Sequence, residues 1–304
     1  MRLGCDLPPC ADPGGIRAFA QAAEDIGYDH LAVAEHVLAV GHGSALSLRA
    51  APRPAYESST VLGFLSGVTS RIELVSAMLL LPLRPAPLAA KQAAELDRLS
   101  GQRLRLGVAV GWDAGELLAH GVEPGVRGEL FEEQVQAMRL LWAKDAVDFH
   151  GRHVRLSGAG LVPRPRRSIP LWMGGGTARS MGVPPQRAMR RIAALADGFT
   201  MSAVLGKRLG HGERLIAQLL AGVDAAGRDR SAFGIEARLL THLTQRDEWA
   251  HYGYRWKRAG ATHLAVSNHA VGDIDDHIEL IATAFDVLRP LHRGRRSNEQ
   301  PREH

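Results

Sequence analysis

Residues 72–113 read IELVSAMLLLPLRPAPLAAKQAAELDRLSGQRLRLGVAVGWD. Two apolar runs, 72–81 and 103–110, flank an alanine-rich segment, 86–101. The runs are nearly continuous in Leu, Ile and Val, as expected of parallel strands covered on both faces. The middle segment is built of strong helix formers and stops at Gly101. Strand, helix, strand in this spacing is a parallel βα unit. The same alternation continues in both directions. Further strands are expected at 2–7, 30–35, 169–174, 197–202, 233–243 and 262–267. Amphipathic segments fill the gaps. One of them, RGELFEEQVQAMRLLW, carries apolar residues at 130, 131, 135, 138, 141 and 142, a helical stripe. Eight strands alternating with eight helices predict an α/β protein, a (β/α)8 TIM barrel. The alternative, an open doubly wound sheet, usually has fewer strands. The barrel is expected to occupy residues 1–288 as one domain, with 289–304 a polar, frayed tail. Two long loops interrupt the pattern, 36–54 and 144–168, and long loops in such a fold often carry function.

Composition narrows the class. The chain is 45% hydrophobic, enough for a large core. No apolar run reaches the roughly 18 residues of a membrane span, and the first residues lack a signal-type stretch. A cytoplasmic protein with no membrane partner is therefore expected. Two cysteines, Cys5 and Cys10, make neither a disulfide framework nor a four-ligand zinc site. The net charge of +5 invites a nucleic-acid reading, but its distribution does not. Between Phe149 and Ala196 stand nine arginines and no Asp, Glu or Lys. Removing their charges leaves the rest of the chain at about −4. So local a surplus suits one small anionic ligand better than a polyanion, and no nucleic-acid partner is expected.

In a (β/α)8 barrel the chemistry sits at the C-terminal strand ends. Here those ends are Glu35-His36, Leu80-Leu81-Pro82, the AVGWD stretch 109–113, and Gly174-Gly175-Gly176-Thr177. The last lies within IPLWMGGGTARS, residues 169–180. Consecutive glycines let amides converge on an anion, and the following helix adds its N-terminal dipole. Thr177 offers a hydroxyl and Arg179 a planar cation. The same glycines would equally serve a plain strand-to-helix turn. His36 is placed to act as acid or base, or to contact a bound ring. Trp112 would stack on a flat ligand or simply pack. Asp113 and Glu116 are read as the cap and first turn of a short helix. Neither G-x-S-x-G nor H-E-x-x-H occurs, and His150 and His153 are too isolated for a metal site.

Several segments in order carry a resemblance: AEDIGYDHLAVAEHV (23–37), residues 70–112, HGVEPGVRGELFEEQVQAMRLLW (120–142), FHGRHV (149–154), IPLWMGGG (169–176), RAMRRIAALADGF (187–199) and RWKRAGATHLAV (255–266). Together they resemble the bacterial-luciferase-like flavin and deazaflavin oxidoreductases, and within them the coenzyme F420-dependent branch. The resemblance implies a barrel with the cofactor ring at its mouth. It implies His36 as ring contact or proton donor, with Glu35 beside it in the catalytic pair, where an aspartate is commoner. It implies a non-prolyl cis peptide in the third strand, matching Ala77–Met78, that buttresses the ring. The phosphate then falls between Val110, Gly111 and Trp112 on one side and Gly174, Gly175, Gly176 and Thr177 on the other. Val110 is apolar where several relatives are polar or basic, so Arg179 or a neighbouring arginine is expected to supply that charge. A small-molecule substrate and a homodimer are expected. F420 is the leading cofactor, with FMN and an oxygen-using monooxygenase as the alternative. A non-catalytic cofactor-binding or nucleic-acid-binding protein stands as the third possibility.

Overall fold

The computed structural model describes residues 1–10, 12–38, 55–176, 180–202, 205, 208–268 and 272–292. Each apolar run of the sequence becomes a strand: β1 (Arg2–Asp6), β2 (His30–Val33), β3 (Glu73–Ser76), β4 (Leu79–Leu80) and β5 (Leu104–Ala109). The chain then adds β6 (Val147–His150), β7 (Arg155–Ala159), β8 (Leu171–Gly175), β9 (Gly198–Met201), β10 (Gly234–Leu240) and β11 (His263–Ser267). Every residue of β2, β9 and β11 is buried, which is why these strands read as continuous apolar runs. All pairings in the main sheet are parallel, in the order β3-β2-β1-β11-β10-β9-β8-β5. Leu74 opposite Leu104 and Val75 opposite Arg105 join β3 to β5 and close the barrel. Its eight staves are those expected, and the closed parallel barrel with outer helices is the (β/α)8 fold.

The third stave is made of two pieces. β3 ends at Ser76, the Ala77–Met78 peptide is cis as the resemblance implied, and β4 resumes opposite Val108 and Ala109 of β5. Backbones approach closely here: a Cβ on Gly107 would lie 2.1 Å from the Ser76 carbonyl oxygen, so only glycine fits. Ser76 Oγ reinforces the contact, accepting from Gly107 N at 3.0 Å and donating to Gly107 O at 2.9 Å.

The helices are α1 (Pro13–Ile26), α2 (Ser58–Val68), α3 (Ala86–Leu99), α4 (Ala114–Ala119), α5 (Arg127–Ala143), α6 (Gln186–Leu195), α7 (Leu209–Ala225), α8 (Trp249–Ala259) and α9 (Ile274–Leu288). Their ends follow local chemistry. Asp12 caps α1 by accepting from Gly15 N, and Gly27 closes it at φ 106°. Among the described residues no helix is long and apolar enough to cross a membrane.

One expectation is corrected, and packing at the C-terminal end adds detail to another. Residues 144–168 are not a plain loop. They contain an antiparallel ribbon, β6–β7, whose Phe149, Val154 and Leu156 pack against Ala86, Leu130 and Ala137 on the outer surface of α3 and α5. The buried Val147 alternating with exposed Asp148 is the period-2 signal that marks the ribbon. At the other end, packing continues four residues past the expected boundary at 288. Leu291 is buried and accepts from the Met1 amino group, while His292 Nε2 meets Asp29 Oδ2 at 3.0 Å. Residues 293–304, and 39–54 of the other long loop, lie outside the described residues.

Candidate active site

β2 delivers two adjacent polar residues to the mouth, and they part company at once. The Glu35 side chain is enclosed. Its Oε1 accepts from Leu80 N at 2.9 Å and Arg84 Nη1 at 2.8 Å. Its Oε2 accepts from Ser58 N at 2.9 Å, Ser58 Oγ at 2.6 Å and Arg84 Nη2 at 2.9 Å. This two-pronged Arg84 clamp ties β2 to β4 and the start of α2. Burial would lower the Arg84 pKa, but Glu35 and Glu57 raise it above its ordinary value. The catalytic part expected of Glu35 does not suit these surroundings. Both carboxylate oxygens are already filled by donors that hold the scaffold.

His36 turns the other way. Its Nδ1 lies 3.1 Å from Glu116 Oε2, and its side chain remains 23% exposed against 2% for Glu116. Glu116 Oε1 accepts from Val37 N at 2.7 Å and Leu38 N at 3.1 Å. An ionised carboxylate only accepts, so the proton between the two side chains belongs to Nδ1, and a neutral ring keeps its lone pair on Nε2. Glu116 comes from α4, the short helix expected after β5. Asp113 caps it as anticipated, accepting from Gly115 N at 2.9 Å and Glu116 N at 3.3 Å. Trp112, 51% exposed, stands edge-on to the imidazole with ring centroids 6.1 Å apart. At the base of the same loop His36 N donates to Tyr56 O at 3.2 Å. The Tyr56 hydroxyl accepts from Cys10 N at 2.7 Å and donates its one proton between the Pro8 carbonyl at 2.7 Å and the Cys10 carbonyl at 2.9 Å, and burial pushes this phenol up to about 12.

Met78 occupies the space between β5 and β8. A Cβ on Gly174 would come within 2.9 Å of Met78 Cγ, and one on Gly107 within 2.9 Å of Met78 Cε. Ala77 N donates to Val33 O at 2.7 Å, which ties the cis peptide to the strand that carries His36. Gly111, beside Val110 and Trp112, has φ 75°, a left-handed turn that brings α4 back over the strand end. Across the mouth, Asp6 accepts from Arg238 and Ser267, and the same Arg238 donates to Met201 O at 3.2 Å.

The triple glycine is less open than its sequence suggests. Gly174 and Gly175 belong to β8 and pair with Thr200 and Met201. Gly176 has φ 91°, and a Cβ there would lie 1.9 Å from the Gly182 carbonyl oxygen. Glycine is required at 176 because the chain crosses itself. Thr177 and Arg179 lie outside the described residues.

The arginine zone is also redistributed in space. Arg152 pairs with Glu129, Arg164 with Asp145, Arg167 with Asp97 and Arg191 with Glu132. Arg164 and Arg167 lie at the N-terminal end of the barrel, donating to Ala143 O and Leu104 O. Four of the eight described arginines are thus paired with acids from α3, α5 and the turn after α5. α6 starts just after Pro184, which a Cβ on Gly175 would meet at 3.2 Å, and its Arg187 and Arg190 pair with no carboxylate among the described residues.

Glu116 as the partner of His36, and the Arg84 clamp, were not legible beforehand. Glu116 lies eighty positions from His36, and its local pattern reads fully as a helix start.

The comparisons agree with this architecture. Residues 2–298 match the family model described as luciferase-like monooxygenase, and the chain belongs to that family. A solved F420-dependent secondary alcohol dehydrogenase superposes with a TM-score of 0.75 at 18% identity, covering 95% of this chain and 99% of that one. In sequence, the FMNH2-dependent dimethylsulfone monooxygenase of Pseudomonas putida is 32% identical over 168 residues, 54% of this chain and 44% of the relative. Uncharacterized protein Rv0953c of Mycobacterium tuberculosis is 38% identical over 140 residues, 45% of this chain and 47% of its own length. The chain thus spans about half the length of the curated relatives it matches. The printed names of these relatives and neighbours include both F420-dependent and FMNH2-dependent enzymes.

Proposed function

We propose that this enzyme uses coenzyme F420 to pass hydride to or from a small organic substrate at the barrel mouth. One observation carries the reading: His36, at the end of β2, has Nδ1 on the buried Glu116 carboxylate, which leaves Nε2 for proton exchange. The surrounding residues fit a flat ring with an anionic tail. The Ala77–Met78 peptide, Met78 and the half-exposed Trp112 supply apolar walls. Val110, Gly111 and Gly174–Gly176 bring backbone to the rim, and α6 begins beside it with no acidic residue in its first turn. Arg187 takes the cationic part first assigned to Arg179.

Bound there, the deazaflavin supplies a two-electron hydride carrier. The chain's own task is to orient the substrate and to move a proton at His36 Nε2 to or from its oxygen. Glu35, through Arg84, holds the β2 and β4 ends in place for that geometry. A cytoplasmic homodimer acting on a small-molecule substrate completes the reading.

The second reading is an FMN-dependent monooxygenase that uses molecular oxygen, favoured by the name of the Pseudomonas putida relative. Fluorescence titration of the purified protein with F420 and with FMN separates the two. Saturable F420 binding, tighter than FMN, is the expected result. Tight FMN binding with no F420 uptake would replace the first reading by the second.

A further inference from the structure

Among the described residues the buried Glu116 carboxylate receives three donors. His36 Nδ1 approaches one oxygen at 3.1 Å, and Val37 N and Leu38 N approach the other at 2.7 and 3.1 Å. The neighbouring His120 ring meets the Glu116 backbone carbonyl, at 2.8 Å, and not its carboxylate. Asp113 is engaged with the α4 amides. Glu35 is engaged with Arg84, Ser58 and Leu80 N. The carboxylate that governs the His36 ring is therefore that of Glu116.

We propose that Glu116 is the positioning residue for His36. Its carboxylate holds the imidazole proton on Nδ1, and its second oxygen fixes the first two amides of the loop that follows β2. Ring tautomer and loop entry are thus set by one side chain. The proposal rests on the reading of His36 as the proton-transfer group and deepens it. Three convergent donors require an acceptor with two oxygens. A glutamine there keeps the shape but has one acceptor oxygen and one amide nitrogen. With its oxygen held by the two backbone amides, its NH2 faces Nδ1. That contact forms only if Nδ1 is unprotonated, so Glu116→Gln should move the ring proton to Nε2 while preserving the loop anchor.

The test uses the full chain labelled with 15N-histidine, without cofactor or substrate. His36→Ala identifies the His36 ring signals. In the wild type the neutral ring is expected to be protonated at Nδ1, and in Glu116→Gln at Nε2. A wild-type ring protonated at Nε2 overturns the proposal without any variant having to fold. So does a folded Glu116→Gln protein that keeps the proton on Nδ1. In turnover, Glu116→Gln should lower kcat by about 10²- to 10⁴-fold with cofactor affinity unchanged, the pattern of a wrong tautomer behind an intact site. Its kcat–pH profile should also lose the limb that disappears in His36→Ala. A kcat–pH profile identical to wild type would count against it. The ring spectra need no cofactor, so they stand or fall separately from the F420 titration.

Discussion

Among the described residues the barrel carries one histidine–glutamate pair at each end, besides His153–Glu129 on the outer ribbon, and the surroundings of the two are opposite. At the mouth, His36 and Glu116 meet at 3.1 Å with the imidazole partly open to solvent. At the floor, His30 Nε2 lies 2.9 Å from Glu236 Oε2, and neither side chain has any exposure. Arg105 joins the floor pair, reaching Glu236 at 2.9 Å and Glu73 at 3.2 Å, with its guanidinium 4.3 Å from the Trp172 ring centre. His263 stands edge-on to Trp172, with centroids 4.9 Å apart. Burial by itself would raise the Glu236 carboxyl, but Arg105, His30 and Arg238 hold it well below the usual carboxylate range. The same two residue types leave the imidazole partly open to water at one end and enclose it among buried charges at the other. Depth in the barrel decides which.

This contrast predicts that mouth variants lose turnover and floor variants lose stability. The largest effect should come from His36→Ala, with activity falling about 10²- to 10⁴-fold and the melting temperature unchanged. Unaltered turnover would remove His36 from the mechanism and leave the mouth pair as structural as the floor pair. Next in size is Glu236→Ala, which strands Arg105 and His30 in the interior. Breaking such a buried pair costs about 3–5 kcal/mol, read from urea unfolding, while cofactor affinity per folded molecule stays the same. A smaller loss should follow Gly234→Ala. A Cβ there would lie 2.1 Å from Trp172 Cζ2, and overpacking of this kind costs about 1–3 kcal/mol. If Gly234→Ala unfolds like wild type, the Trp172 indole is not the rigid plate that the floor requires.

The two ends also differed in how far the sequence disclosed them. The eight staves were legible because buried parallel strands leave apolar runs punctuated by amphipathic helices. His36 was legible because it ends such a run, and Asp113 because helix caps are local. Glu116 was visible only as a helix residue. Its meeting with His36 is made by barrel closure, which brings the ends of β2 and β5 to a common rim. The floor was more hidden still. His30, Arg105 and Glu236 interrupt apolar runs singly, and nothing local says that three strands aim them at one point. The arginine cluster misled for the converse reason, since acids from α3, α5 and the turn after it pair in space with four arginines that the sequence leaves unbalanced. The β6–β7 ribbon does carry its alternation, but proline and arginine around it mask the signal.

The finest division between the two ends is their response to acid. Burial first, and then the positive charge of Arg105, hold His30 below the ordinary imidazole value. The same causes, with His30 added, hold His263 well below it. The unfolded chain therefore binds these protons more readily than the folded one. Their effect is absent above the ordinary value of about 6.5, and stability falls as pH drops below it. Glu236 acts later in the same direction: its lowered pKa gives stability that is present above about 4.5 and lost as the pH falls through the folded value. Each ring contributes at most about 1.4 kcal/mol per pH unit. Urea midpoints measured from pH 8 to pH 5.5 should decline for the wild type and decline less steeply for His263→Phe, whatever the absolute stability of that variant. If His263→Phe keeps the full wild-type slope, the floor histidines are not the groups whose protonation the fold resists, and the contrast between the two ends loses its electrostatic basis.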